Sequence, residues 1–176
     1  RQLVGKRSIP DRLRAAERLR EMPDLSVKYL DELAGALATS GDHASELDAV
    51  RDRLATTLIA GSKDAEAVPY LRTLYEMRLA RADGAAHATG LRWLESSLRS
   101  SNPQGAAEVI VRLGEASGAE PVRAEIIRTV AQYLETPAAV ADAERSRKLL
   151  AELRTVPSDL LGDSWTQLLG RFAPPL

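Results

Sequence analysis

His43 and His87 are the chain's two imidazoles, 44 residues apart, and each follows a turn at the start of a predicted helix. Imidazole is the usual metal ligand and the side chain that changes charge near neutral pH. Neither histidine has a His or Cys four residues away to form a helical ligand pair, so both read as solvent-facing polar residues. Asp42-His43 with Ser40 or Ser45 supplies the residue types of a nucleophilic triad. No nucleophile elbow or oxyanion loop surrounds them. The sequence contains neither G-x-x-x-x-G-K-[ST] nor G-x-G-x-x-G after a strand, so no phosphate cradle is predicted. Its many carboxylates read as solvated helix faces. The expectation is a protein without catalytic residues, metal or cofactor.

Arg51 and Arg92 carry a different kind of chemistry. Both are polar positions away from the apolar stripes of their helices, and a guanidinium can grip a carboxylate through two parallel hydrogen bonds. They are the predicted partner-binding residues, suited to an acidic protein or peptide. Trp93 and Trp165, 72 residues apart, are read as core rather than as binding anchors. Tyr29, Tyr70, Tyr75 and Tyr133 fall at helix borders, with Tyr70 and Tyr75 expected half-exposed. Residues 1–20 hold seven Lys or Arg against Asp11 and Glu17, while the remainder carries −6. That basic start is suited to phosphates or an acidic partner. With no interleaved aromatic residues and no helix-turn-helix pattern, it reads better as a solvated face.

Composition limits the classes of function. The 176 residues suit one domain or a short repeat array, and 44% apolar residues are enough for a core. Aromatic residues are only 4%, so the core must come from Leu, Ala, Val and Ile, which favours closely packed helices. A net charge of −1 selects neither nucleic acid nor membrane. The absence of cysteine rules out disulfides and thiolate chemistry and fits a reducing, cytoplasmic setting. No apolar run approaches the ~20 residues of a membrane span. Arg1 in place of an initiating Met leads us to expect a fragment of a longer protein.

The elements that would position these residues are helices separated by Pro and Gly breaks. Residues 1–9 read as a basic lead-in, 10–172 as a helical-repeat domain and 173–176 as a tail. Leu13, Ala16, Leu19 and Met22 stripe a first helix that Pro23 ends, and Ser26 caps a second reaching about Thr39. The central hairpin spans 43–82: Leu47, Val50, Leu54 and Leu58 face Ala67, Leu71, Leu74 and Leu79 across the Gly61-Ser62 turn. Further helices are predicted over 85–99, 104–117, 121–134, 138–154 and 158–172. Val140 belongs to the stripe of the 138–154 helix, and glycines are expected at helix ends, where positive φ is useful. The total is nine helices and no strand.

An internal period accompanies this pattern. Ser26-Leu30-Leu33, Ala67-Leu71-Leu74, Ala106-Ile110-Leu113 and Ser146-Leu150-Leu153 repeat a small residue followed by large apolar ones four and seven positions later. The steps are 41, 39 and 40 residues, near-constant as a stack of hairpins requires. Leu54-Ala55-x-x-Leu58, the Gly61-Ser62 turn and Ala67-x-x-x-Leu71-x-x-Leu74 resemble a tetratricopeptide repeat, as does the run EAVPYLRTLYE. The spacing near 40 is closer to HEAT-type pairs than to the tetratricopeptide unit of ~34, and PVRAEIIRTVAQYL has a HEAT-like look. The resemblance is best over 43–82. It implies an all-α, right-handed αα-superhelix of about four helix pairs plus a C-terminal helix, with protein or peptide binding on its inner face. The expected function is a non-catalytic protein–protein interaction scaffold. The alternatives are a helical regulatory or accessory domain of an enzyme or signalling protein, and a nucleic-acid-binding repeat using the basic N-terminal end.

Overall fold

The computed structural model describes residues 9–18, 23–40, 44–117 and 120–172, and every regular element among them is a helix. Packing divides the chain into two compact units, Arg1–Met77 and Arg78–Leu176, where the sequence reads as one helical domain. The lead-in up to residue 8 and the tail 173–176 lie outside the described residues.

The first unit holds α1 (Ile9–Arg18), α2 (Pro23–Ser40), α3 (Ala44–Ala60) and most of α4 (Asp64–Ala80). Pro23 opens α2 instead of ending the helix before it, since a first-turn proline lacks only an N–H that has no intrahelical partner. Ser26 is therefore inside the first turn and buried, not a cap. The most extensive helix packing in this unit is α2 on α3. Leu30, Leu33, Val50, Leu54, Leu58, Ala67, Leu71 and Leu74 are buried there. Leu79 is 44% exposed, and Tyr75 is buried at 2% exposure, so the stripe of α4 ends on the tyrosine. Two side-chain bridges join α2 to α4 and the turn before it: Lys63 Nζ donates to Asp24 Oδ1 at 2.6 Å and Tyr70 Oη donates to Asp31 Oδ1 at 2.8 Å. Both partners are 39 residues apart.

The second unit contains α5 (Ala86–Arg99), α6 (Pro103–Ser117), α7 (Glu120–Leu134), α8 (Pro137–Ala141), α9 (Ala143–Leu153), α10 (Ser158–Leu161) and α11 (Asp163–Arg171). It is built in two layers: α5 packs beside α7, α6 packs beside α9, and α5 packs on α6. The expected helix over 138–154 is two helices, because the Asp142 carboxylate accepts from the Arg145 N–H and starts a new turn. The break turns Val140 outward at 70% exposure and leaves Ala139 as the buried contact. The expected helix over 158–172 is likewise divided at Gly162, whose φ of 77° is left-handed. These two breaks raise nine expected helices to eleven among the described residues. α10 reaches α6 at Gly114, where a Cβ would come within 2.6 Å of Leu160 Cγ, so any larger residue would have to displace the Leu160 side chain.

Helix ends differ from expectation in one more respect. Gly162 is the one positive-φ glycine among the described residues, and the left-handed positions elsewhere are held by Ser62, Ala82 and Ser101. At Ser62 and Ala82 the following N–H closes back on the helix, from Lys63 to Leu58 O and from Asp83 to Arg78 O, both at 2.9 Å. That hydrogen bond satisfies an orphan carbonyl of the last turn and holds a residue other than glycine in the left-handed region.

Candidate functional site

In the second unit, the C-terminal ends of α5 and α7 meet the start of α9 around an open pocket of about 370 Å³. Leu98 and Tyr133 supply apolar wall, and Glu95, Arg99, Thr129, Gln132, Thr136 and Arg145 supply polar groups. The size is at the lower end of pockets that hold small ligands or a few side chains.

Arg145 organises this site. Its Nη2 donates to Leu98 O at 3.0 Å and to Arg99 O at 2.6 Å, two carbonyls at the end of α5. The last carbonyls of a helix have no intrahelical donor and carry the negative end of its dipole, so a guanidinium is well matched to them. The same guanidinium lies over the Tyr133 ring, 5.8 Å from its centroid. Arg99 forms an ion pair with Glu95 at 3.6 Å along α5. Two cations therefore face one carboxylate in the lining. Arg92 is three residues before Glu95 and seven before Arg99, so helical spacing puts it on the same bank.

At the other end of α5, His87 Nε2 donates to Glu125 Oε2 of α7 at 2.5 Å, across 38 residues. The hydrogen bond from His87 holds the Glu125 carboxyl below the usual range, with help from Arg128 at 3.6 Å. His87 Nδ1 is buried with no partner among the described residues. His87 is thus a half-buried bridge between helices, not a solvent-facing residue. His43 and Asp42 lie outside the described residues, and Ser45 Oγ donates to Glu46.

The predicted partner-binding residues fall in separate units. Arg51 is half-buried on α3, with Nη1 2.6 Å from Met77 Sδ, which ties it to α4. Arg92 is half-buried on α5. Trp93 and Trp165 are buried at 2% and 1% exposure, in the core as expected. Arg145, Tyr133 and Glu95 went unrecognised in the sequence. Their signal was Asp142, an N-cap residue inside an apparently continuous helix.

Among the described residues no group of three or more His, Cys, Asp or Glu could hold a metal ion. No described helix is long and apolar enough to cross a membrane. No family model, no curated protein and no solved structure matches this chain.

Proposed function

We propose that the chain is a non-catalytic protein-interaction scaffold of stacked helix pairs, resembling tetratricopeptide and HEAT-type right-handed superhelices. On this reading it holds an acidic peptide segment in the pocket bounded by α5, α7 and α9. The observation that carries the proposal is a common step. Asp24–Lys63 and Asp31–Tyr70 bridge positions 39 apart, and His87–Glu125 bridges positions 38 apart. The triplets of small and large residues recur at nearly the same step. Bridges at a constant step are what neighbouring copies of one unit make when each presents the same face to the next.

The pocket follows from such a stack, since it opens where two like helices, α5 and α7, end side by side. Its excess of guanidinium over carboxylate suits a partner with Asp or Glu side chains or a terminal carboxylate. On this reading Arg92, one and two turns before the lining residues Glu95 and Arg99, extends the surface beyond the pocket, and Arg51 serves the packing of α3 on α4. The test is affinity capture of partners on immobilised protein, comparing wild type with Arg92→Glu/Arg99→Glu. A captured protein should be lost in the double variant while circular dichroism stays unchanged. Equal capture by a folded double variant would refute the assignment.

A further inference from the structure

A second surface of the second unit lies apart from that pocket. α9 packs against α6 and α11 packs against α7, which leaves a furrow between α9 and α11. Depressions of about 400 and 260 Å³ mark its two ends. Arg154 meets Trp165 and Leu169 in one, and Arg147 and Leu150 meet Phe172 in the other, so the two helices run antiparallel. A third hollow, about 600 Å³, is lined by α9 alone and shares Arg147 and Leu150 with one depression and Arg154 with the other.

The chemistry of this surface is specific. Leu150, Trp165 and Leu169 form an apolar floor, and Val140 stands 70% exposed at one end. Trp165 Nε1–H is buried without an acceptor among the described residues. Arg147 and Arg154 are exposed, seven residues apart on one side of α9, and Arg147 shares the field of Glu144 with Lys148. Lys148 adds a third cation on α9, paired with Glu144 at 2.8 Å in the hollow along that helix. Three cations thus face one anion along a floor of large apolar side chains.

We propose that the furrow between α9 and α11 docks an acidic amphipathic helix of a partner protein. Two positions seven residues apart on a helix are separated by about 10 Å, two turns on one face. A ligand helix with Glu at i and i+7 therefore matches Arg147 and Arg154 turn for turn. Its apolar residues at three- and four-residue steps then lie on Leu150, Trp165 and Leu169, with Val140 covered at the end. The guanidinium pair sets the direction and sign of the partner, while the floor residues, at 5%, 1% and 9% exposure, give it shape and exposed Val140 gives it apolar area to cover.

The proposal does not rest on the α5–α7 pocket, and its test leaves that pocket intact. The probe is a fluorescein-labelled helical peptide of about 16 residues, with Leu on one stripe and Glu at the flanking i and i+7 positions. Two companions replace its Glu by Lys or scramble its Leu stripe at constant composition. Anisotropy titration of the full chain should give saturable binding of the acidic peptide, with both companions about tenfold weaker or more. Arg147→Glu/Arg154→Glu should weaken the acidic peptide about tenfold and strengthen the Lys peptide, and Val140→Asp should weaken the acidic peptide. All three positions are exposed, and circular dichroism checks that the variants fold. Failure of the acidic peptide to saturate, equal binding of the scrambled peptide, or an unaltered affinity in the charge-reversed variant would each overturn the proposal. So would a dimer in sedimentation velocity that Val140→Asp dissociates, since the furrow would then be filled by a second copy of this chain.

Discussion

Leu71 offers a direct measure of how the first unit is held together, because it is 0% exposed between Ala67 and Leu74, which are also 0% exposed. Truncation to alanine removes three buried carbon atoms and leaves a cavity that rigid neighbouring helices fill only partly. Losses for such changes are roughly 2–5 kcal/mol. For a urea slope of about 2 kcal/mol per M, that is a midpoint shift of about 1–2.5 M. The assay can separate the two units. Trp93 and Trp165 both lie after Arg78, so tryptophan fluorescence reports the second unit, whereas far-ultraviolet circular dichroism reports helices of both. Leu71→Ala should lower the dichroism midpoint, or split the transition into two, while the fluorescence midpoint moves less. A dichroism change worth less than about 0.5 kcal/mol, within the range of an indifferent surface substitution, would refute the placement of Leu71. Equal shifts of both signals would refute independent unfolding of the units.

Arg145→Met keeps the aliphatic stem but removes the donors to Leu98 O and Arg99 O, and should cost about 1–2 kcal/mol, read by tryptophan fluorescence. Arg145→Lys should recover only part of that loss, since an ammonium lacks the planar fork that grips two carbonyls. Burial, and then the hydrogen bond to Asp31, push the Tyr70 phenol up to about 12. A folded value above the unfolded one contributes stability that is complete below about pH 10 and is lost as pH rises towards about 12. Phenolate absorbance should show one tyrosine titrating late, and Tyr70→Phe should abolish that component. Ala82, at φ 52°, should gain about 0.5–1 kcal/mol on replacement by glycine, which carries no left-handed penalty; a loss in urea titration would contradict that backbone conformation.

The stripes of α2, α3, α4 and α6 were legible because spacing alone decides which side of a long helix is apolar. Leu30, Leu54, Leu71 and Ile110 are each 0% exposed, as their periodicity requires. Breaks made by proline were partly legible: their places were right, but Pro23, read as ending a helix, opens α2, as Pro103 and Pro137 open α6 and α8. Tyr75 over Leu79 was not legible, because both positions follow Leu71 and Leu74 at helical steps and tertiary packing chooses between them. Left-handed helix ends at Ser62, Ala82 and Ser101 escaped notice since none is glycine. The pocket was invisible for a different reason: Glu95, Tyr133 and Arg145 are distant in sequence and meet only because α5 packs beside α7.

The break at Asp142 explains why a pocket, and not a closed apolar seam, occupies the end of the α5–α7 layer. Asp142 accepts from the Arg145 N–H at 2.9 Å, so the backbone of Arg145 is settled within the first turn of α9. Its side chain is then available to reach α5, where two terminal carbonyls need a donor. One residue thus serves two helix ends, one through its amide and the other through its guanidinium. A contact made at the length of an arginine side chain holds the two ends apart, whereas Leu or Ala at position 145 would let them close or leave the carbonyls to water. Tyr133 supports the guanidinium from below, and the space beside the bracket is the pocket. Stability of the α5 end and the shape of the proposed binding surface therefore depend on the same side chain. For that reason Arg92 and Arg99, which do not bracket the helices, are the better positions for testing recognition without disturbing the fold.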